Sequence, residues 1–253
     1  MKEKVKDLSW LKHELIAHRG FHSKDGLIPE NSWLAFDLAM KHGYAIECDV
    51  NVLKDGTAVV FHDPDLKRLC HDQRLLEEVT WDEVKQFKLL NTEETILTLQ
   101  DLLGRINGKK PLLIELKPHG NVALLCKSVM AVLKDYQGLY ALFSFHPKVV
   151  YYLKKHHPEV IRGQIAEYFK TNQNMPKIIK WMMKNMVFNR FTKPDFVSYS
   201  VHDLPNKKLD RLKARGMTII SYAAQNQKEF DHVLNHYDNV VFEYFKPKQK
   251  GDV

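Results

Sequence analysis

The stretch IAHRGFHSKDGLIPENSWLAFDLAMKHGYAIECDVNVLKDGTAVVFHD, residues 16–63, places ionisable side chains at the boundaries of its apolar segments. Four features share this placement: His18-Arg19 after an apolar lead-in, Pro29-Glu30-Asn31-Ser32 before a helical pattern, Glu47 and Asp49 inside an apolar run, and His62-Asp63 at the end of another. Strand ends and helix starts are where barrel and open-sheet enzymes carry their catalytic groups. The stretch therefore predicts an α/β enzyme whose site includes these residues.

Short β-type runs alternate with helical stretches along the chain, which predicts a parallel sheet with crossover helices. Strands are predicted near 14–17, 45–50, 112–116, 140–145, 161–166, 196–200, 218–223 and 240–243. Helices are predicted at 31–42, 99–106, 122–136, 147–156, 176–187, 206–215 and 228–235. Eight such strands are the number that closes an α/β barrel.

Local signals set the ends of the first helix and the shape of the second strand. Asn31 or Ser32 can cap the helix start, and Gly43 ends it. Lys54-Asp55-Gly56 predicts a tight turn, so the second strand folds back as a hairpin. Residues 65–95 are polar, with a short helix predicted at 81–89, and they form a small insertion over the barrel mouth.

The composition bounds the class of protein. At 253 residues, with 44% hydrophobic and 27% charged residues, the chain has the make-up of one globular domain spanning 1–253. It has no apolar run of about 18 residues, so no transmembrane helix is predicted. Residues 1–12 lack the apolar centre of a secretory signal, and the three cysteines show no paired spacing, so a cytoplasmic location is expected.

The net charge of +7 favours phosphate-bearing partners. Neither a basic helix nor an aromatic-rich binding motif accompanies it, so nucleic-acid binding is not expected. The oligomeric state is left open, because no predicted face is apolar enough to indicate one.

Three acids interrupt apolar strands. Glu47 and Asp49 are two residues apart in a β-type run and so point to the same face. They are a suitable half-site for Mg²⁺ or Ca²⁺, or they pair with Lys or Arg at a strand end. Glu115 is a third acid in such a run: either it adds to the cation site, or Lys117 on the same face satisfies it alone.

Two histidines stand apart from the rest by position. His18 ends the first strand and His62 ends the second arm of the hairpin. Because histidine can take and return a proton at cellular pH, a facing pair suits acid/base cleavage of an ester. Arg19 offers a fork of donors that matches phosphate oxygens, or it forms an ion pair at the strand end.

The combination of these motifs resembles the glycerophosphodiester phosphodiesterase family. The motifs are, in order, His18-Arg19-Gly20, Pro29-Glu30-Asn31-Ser32, Glu47-x-Asp49, Lys54-Asp55-Gly56, His62-Asp63 and Glu115-x-Lys117. The resemblance implies a TIM (β/α)8 barrel with a small insertion after the second strand. It also implies metal-dependent hydrolysis of glycerophosphodiesters to sn-glycerol 3-phosphate and an alcohol, with one divalent cation, Mg²⁺ or Ca²⁺.

The resemblance also implies roles for single residues. Glu47, Asp49 and Glu115 correspond to metal ligands, His18 and His62 to the acid/base pair, and Arg19 and Lys117 to phosphate contacts. The chain departs from the family near its C-terminus, where Tyr222 stands in a strand in which the family tends to have Trp. Tyr222 either forms an aromatic wall for the substrate or packs in the barrel.

Two other functions fit the same residues. The first is cleavage of lysophospholipids in the manner of phospholipase D, with peripheral lipid contact. Its acyl groove would come from apolar residues of the insertion, namely Leu66, Leu69, Leu75, Leu76, Val79, Trp81 and Phe87. The second is a non-catalytic phosphate-binding barrel, against which the presence of both histidines and all three acids argues.

Overall fold

The computed structural model describes residues 6–170, 172 and 175–248. Its strands are β1 (Ile16–Ala17), β2 (Ala45–Val52), β3 (Ala58–Val60), β4 (Leu97–Thr98), β5 (Leu112–Leu116), β6 (Tyr140–Ser144), β7 (Arg162–Ala166), β8 (Phe196–Ser200), β9 (Thr218–Ala224) and β10 (Asn239–Phe242). Its helices are α1 (Ser9–His13), α2 (Trp33–Lys41), α3 (Lys67–Cys70), α4 (Trp81–Val84), α5 (Leu99–Ile106), α6 (Val122–Leu133), α7 (Pro147–His156), α8 (Lys177–Lys184), α9 (Asn189–Thr192), α10 (Lys207–Lys213) and α11 (Gln227–Leu234). Short 3₁₀ turns lie at Leu76–Glu78 and Val201–Asp203.

The strand order and the alternation of strands with helices are those of a TIM (β/α)8 barrel with an insertion after the second barrel strand. This confirms the predicted fold class. By internal packing, the chain divides into a first unit, Leu15–Leu142, and a second unit, Met1–Glu14 with Phe143–Val253. The expectation of a single domain over 1–253 stays a prediction.

In the first unit, β2 is the central strand. It pairs in parallel with β1 and with β5, and after the hairpin it pairs antiparallel with β3, which in turn pairs with β4. Both faces of β2 are buried, as expected for a parallel strand covered on two sides. The register with β5 sets Asp49 opposite Glu115, and this decides where the acids meet.

In the second unit, β7, β8, β9 and β10 are successive parallel neighbours. Helix α1, which the sequence pattern did not predict, packs against β9 and β10. The Asn239 side chain donates to the carbonyl oxygens of Leu11 and Glu14 and so fastens the end of α1 to this sheet. A helix of five residues gives too little periodicity for recognition from sequence.

The predicted local signals are confirmed, with one difference. The Ser32 hydroxyl caps α2 by accepting from the Ala35 amide at 3.2 Å, and Gly43 follows the helix with a φ of +83°. Asn31 is not the cap: it has a φ of +55°, and its side chain turns to Asp49 instead. The hairpin turn is closed by the Gly56 amide, which donates to the Leu53 carbonyl.

Most of the apolar residues of the insertion are in its own core. Leu66, Leu69, Leu76 and Val79 are fully buried, and Trp81 and Phe87 pack against them. The predicted helix at 81–89 is shorter, since α4 ends at Val84. Of the residues proposed for an acyl groove, Leu75 is the most exposed, at 37%. The insertion therefore uses these side chains mainly for packing.

Gly20 is expected to be irreplaceable, because it has a φ of +77° and a Cβ there would lie 2.8 Å from the Ala35 carbonyl carbon and 2.9 Å from Phe36. Gly20→Ala should lower the free energy of unfolding by about 2 to 4 kcal/mol, from overpacking and backbone strain. A methyl group added at Gly104, in the middle of α5, would meet no atom within 4 Å. Gly104→Ala should therefore stabilise the protein by about 0.5–1 kcal/mol. Denaturant unfolding of both variants tests the contrast, and equal effects would contradict it.

Across the part of the chain that the structure describes, no helix has both the length and the apolar character to cross a bilayer.

Candidate active site

Three carboxylates meet on one side of β2 and β5. Asp49 and Glu115 are register partners on the two strands, and Glu47 lies two residues before Asp49 on the same face. Each of the three can present an oxygen so that all three oxygens lie within 4.8 Å of one another. All three side chains are buried. The strand pairing thus gathers acids that are far apart in the sequence.

The cluster carries strong internal repulsion. Burial raises the pKa of Glu47, and the charges of Asp49 and Glu115 raise it further. Burial likewise raises the pKa of Glu115, although Lys117 opposes this shift. For Asp49 the effect of burial is outweighed by Lys117 and Arg19, which hold its pKa well below the usual range. Two of the three carboxylates are therefore poorly compensated.

Two cationic side chains lie against the acids, as expected if the acids pair with Lys or Arg at a strand end. Lys117 Nζ is 2.9 Å from Glu115 Oε1 and 3.4 Å from Asp49 Oδ1. Arg19 Nε is 3.0 Å from Asp49 Oδ2, and the Arg19 amide donates to Glu47 Oε2 at 2.9 Å. These contacts place Arg19 and Lys117 at the acids, and their role as phosphate contacts stays a prediction.

The donor set fits a hard divalent cation. Asp49 Oδ1 is buried and forms no hydrogen bond among the described residues, although Lys117 Nζ lies 3.4 Å away as its ion-pair partner. Its neighbours in the cluster, Glu47 and Glu115, also offer carboxylate oxygens, which are the ligands that Mg²⁺ and Ca²⁺ prefer. An uncompensated buried carboxylate is costly, and a bound cation would remove that cost.

The two predicted histidines lie beside this cluster. His18 Nε2 is 3.8 Å from Glu47 Oε2, and His62 Nδ1 is 2.6 Å from Asp63 Oδ1. Both rings are close enough to Asp49 to contribute to the lowering of its pKa. The Asp63 carboxylate pairs with one ring nitrogen of His62 and so fixes the orientation of the imidazole.

Sequence reasoning missed a chain of ion pairs that links Arg19 to His62. Arg68, on α3 in the insertion, donates to both oxygens of Glu30 at 2.8 Å and to both oxygens of Asp63 at 2.7 and 3.0 Å. Glu30 also accepts from Arg19 Nη1 at 2.8 Å. The resulting order is Arg19, Glu30, Arg68, Asp63 and His62. Glu30 and Asp63 stood in the recognised motifs, whereas nothing near Arg68 in the sequence indicated its role.

The contacts of Asn31 also differ from its predicted role as a possible helix cap. Its side-chain amide donates to Asp49 Oδ2 at 3.0 Å, and its side-chain oxygen accepts from the Asp49 amide at 3.3 Å. The left-handed backbone of Asn31 is one that asparagine tolerates better than most residues, and it turns the amide toward β2. Asn31 therefore orients Asp49 within the cluster.

Arg68→Gln should lower kcat by about 10²-fold with little change in KM, because small displacements of reacting groups carry penalties of that size. The reason is that His62 and Arg19 lose the bridge that holds Asp63 and Glu30 in place. Arg68→Lys should recover part of the activity. Arg74→Gln is the matched control, since Arg74 pairs with Asp72 and Glu83 in the same insertion. Steady-state kinetics would contradict the prediction if the Arg68 and Arg74 variants behaved alike.

Tyr222, the remaining predicted contact, belongs to the second unit. Its hydroxyl is 3.3 Å from Glu167 Oε2 and 3.4 Å from the Ala166 carbonyl, and its ring meets Phe145 edge to face. Burial raises the pKa of Glu167, so the hydroxyl donates to a carboxyl that is partly shielded from solvent. A role for Tyr222 in substrate binding stays a prediction.

Comparison with known proteins identifies the family of the chain. The model of the glycerophosphoryl diester phosphodiesterase family matches residues 18–240. Bacillus subtilis YhdW is 28% identical over 223 residues, which cover 85% of this chain and 87% of that protein. Glycerophosphodiester phosphodiesterase 1 of Bos taurus is 28% identical, with 87% of this chain and 74% of the bovine protein covered.

Solved structures agree in fold. An Oleispira antarctica phosphodiesterase, determined in complex with the product sn-glycerol-3-phosphate, superposes with a TM-score of 0.79 at 24% identity, covering 92% of this chain and 94% of that one. Since the family model spans almost the whole length and includes His18, the acids and His62, the chain belongs to the glycerophosphoryl diester phosphodiesterase family and is a phosphoric diester hydrolase.

Proposed function

We propose that the protein hydrolyses glycerophosphodiesters to sn-glycerol 3-phosphate and an alcohol, using one divalent cation, Mg²⁺ or Ca²⁺. The observation that carries this proposal is the buried cluster of Glu47, Asp49 and Glu115, whose oxygens lie within 4.8 Å of one another. Two cationic side chains, Arg19 and Lys117, border it. A phosphodiester needs both kinds of partner, because its own charge must be balanced and its ester oxygens polarised.

Glu47, Asp49 and Glu115 would hold the cation, and the bound cation would polarise the phosphate and neutralise the charge that develops on it. Arg19 and Lys117 would orient the phosphate and share that charge. Arg19 is well placed for this, since Glu30 and Asp49 fix its guanidinium and the nearby acids keep it charged. A side chain held in this way has little conformational freedom left to lose when substrate binds.

His18 and His62 would transfer the protons. One imidazole would accept a proton from the attacking oxygen, and the other would protonate the departing alcohol oxygen. The attacking oxygen belongs either to water or to the glycerol 2-hydroxyl of the substrate, and the second route forms a cyclic phosphate first. The carboxylate of Asp63 would orient His62 for proton transfer by pairing with its Nδ1.

The test is product analysis after chelation and metal add-back. Glycerophosphocholine should give sn-glycerol 3-phosphate and choline only after Mg²⁺ or Ca²⁺ is restored, and a transient cyclic phosphate would identify the intramolecular route. Release of phosphocholine, or full turnover in chelator, would contradict the proposal. A protein that binds glycerophosphocholine but does not cleave it with metal present would instead support a phosphate-binding barrel.

Cleavage of lysophospholipids is tested in the same panel. The packing of Leu66, Leu69, Leu76 and Val79 inside the insertion removes most of the groove on which that alternative rested. Glycerophosphocholine should therefore be turned over faster than lysophosphatidylcholine. The insertion remains, in this proposal, a cover of the barrel mouth that contributes Arg68.

We also propose a cytoplasmic location for the enzyme. It is supported by the free state of Cys48, Cys70 and Cys126, of which Cys48 and Cys126 are buried. Thiols of this kind are typical of proteins in a reducing compartment. Fractionation of cells that produce the protein would test the location.

A further inference from the structure

A second surface of the molecule combines exposed apolar side chains with positive charge. It comprises α8, α9 and the adjoining part of α7, all within the second unit, and is called the basic apolar face below. Its apolar residues are Ile178, Trp181, Phe191 and Tyr151, whose exposed fractions are 62%, 57%, 60% and 48%. Large apolar side chains exposed together on a water-soluble fold usually mark an interaction site.

The order of residues on α8 separates the two kinds of side chain. Ile178 and Trp181 are three positions apart and share one side of the helix. Lys177, Lys180 and Lys184 follow the spacing i, i+3, i+7 and form a row beside them. Met183 faces the protein interior. Apolar residues of α8 therefore lie on its exposed side as well as on its buried side.

Helix α9 follows α8 after four residues of the chain and packs against α7. Lys154, on α7, donates to the Phe191 carbonyl at 2.5 Å and lies 5.7 Å from the centre of the Tyr151 ring. Lys154 therefore contacts both Phe191 and Tyr151, two residues with exposed aromatic rings. Because α7 and α9 pack together, the backbone segments that carry these aromatic side chains are fixed relative to each other.

The charge of the face is strongly one-sided. Residues 168–194 contain six basic residues and no acidic one, which nearly equals the net charge of +7 for the whole chain. Lys170 pairs with Asp203, outside the segment, and the others carry the excess. The end of α8 also borders a cleft of about 730 Å³, whose lining includes Lys184, Lys207, Lys208, Arg211 and Arg215. None of the described residues lining this cleft is acidic.

From these observations we propose that the basic apolar face docks the protein on an anionic lipid bilayer. Lysines attract the negative surface, while Trp181 and Ile178 enter the interfacial region, where tryptophan is favoured. A nucleic acid offers phosphates but no apolar phase for an aliphatic side chain such as Ile178. A second copy of this face would bring like charges together. The docking is independent of the proposed function, since none of the residues involved belongs to the site.

The experiment is vesicle flotation of the full-length protein. It should bind vesicles of phosphatidylcholine mixed with phosphatidylglycerol, and should not bind pure phosphatidylcholine. Binding should be lost near 1 M salt, where the screening length falls to about 3 Å. Lys177→Glu/Lys180→Glu should weaken binding at least about 30-fold, because each basic residue near such a surface contributes about a factor of five.

Two pairs of variants separate docking from general electrostatics. Lys127→Glu/Lys134→Glu makes the same charge change on α6 and at its C-cap, in the first unit, and should leave binding nearly unchanged. Ile178→Ser/Trp181→Ser should weaken binding at constant charge, whereas Leu139→Ser, at a site 54% exposed, should not. Far-UV circular dichroism and thermal unfolding would check that each variant is folded.

Several outcomes would overturn the proposal. They are absence of binding to the anionic vesicles at low salt, equal losses in the α8 and α6 charge variants, and full binding by Ile178→Ser/Trp181→Ser. A further one is binding of duplex DNA or RNA in place of vesicles under the same conditions. Dissociation of a dimer by the α8 substitutions, without loss of vesicle binding, would assign the face to self-association instead.

Discussion

His62→Ala is expected to lower kcat by about 10²- to 10⁴-fold, and His18→Ala is expected to do the same, because each loss removes one of two proton-transfer groups. Neither ring is a member of the acidic cluster, so the affinity for Mg²⁺ or Ca²⁺ should change little. The double variant should be scarcely worse than either single variant, since groups that act in one reaction are not additive. Steady-state kinetics on glycerophosphocholine, with metal titration alongside, provides the measurement.

The matched control for both is His13→Ala, which removes an exposed histidine at the end of α1. Its activity should equal that of the wild type. Asp63→Asn supplies a second check, because it takes away the charged partner of His62 Nδ1 while keeping the shape of the side chain. Retention of most activity in both His62→Ala and His18→Ala would remove the two histidines from the mechanism.

Asp49→Asn is expected to destabilise the protein when metal is withheld, and Glu47→Gln is not. Asp49 balances Arg19 and Lys117, so Asp49→Asn leaves buried cations undercompensated and should cost about 3 kcal/mol. For a chain of this length that corresponds to a fall in Tm on the order of 10 °C. Glu47 is instead repelled by Asp49 and Glu115, so Glu47→Gln should leave stability unchanged or raise it.

The sign of the pH dependence follows from the same repulsion. Burial and the neighbouring acids raise the pKa of Glu47 above its ordinary value of 4.5, so the folded state binds this proton more tightly than the unfolded state does. The chelated wild-type protein should therefore lose stability as the pH rises above about 4.5 toward the raised pKa of Glu47. Glu47→Gln should weaken this dependence.

Thermal unfolding in chelator, and again with Mg²⁺ or Ca²⁺, measures all of these effects. Added cation should raise the Tm of the wild type by mass action and should raise that of either variant much less. If Glu47→Gln lowered the Tm in chelator as much as Asp49→Asn, Glu47 would not be under net repulsion in the metal-free protein. Its charge would then be compensated by the protein's own cations. Wild-type affinity for the cation in Glu47→Gln would remove Glu47 from the ligand set.

Much of the fold could be predicted because its signals are local. The bounds predicted for β5, β8, α5 and α7 are those observed. The hairpin followed from Lys54-Asp55-Gly56, since Gly56 has a φ of +87°. The helices predicted to reach Tyr136 and Val187 end earlier, at Leu133 and Lys184. Helix ends depend on which partners the last carbonyls find, and a sequence pattern does not show these partners.

The site shows the same division more sharply. That Glu47 and Asp49 share a face followed from the two-residue repeat of a strand, which depends on nothing outside the strand. That Glu115 joins them depends on the parallel register of β5 with β2, and that Arg68 braces His62 through Asp63 depends on how the insertion packs.

Strand type, turn type and the shared face of neighbouring residues thus come from the order of amino acids alone, because steric and hydrogen-bonding rules act over a few residues. The compensation of buried charge and the exposure of Trp181 on α8 were decided by long-range packing. Such packing brings together groups whose separation along the chain says nothing of their distance in space.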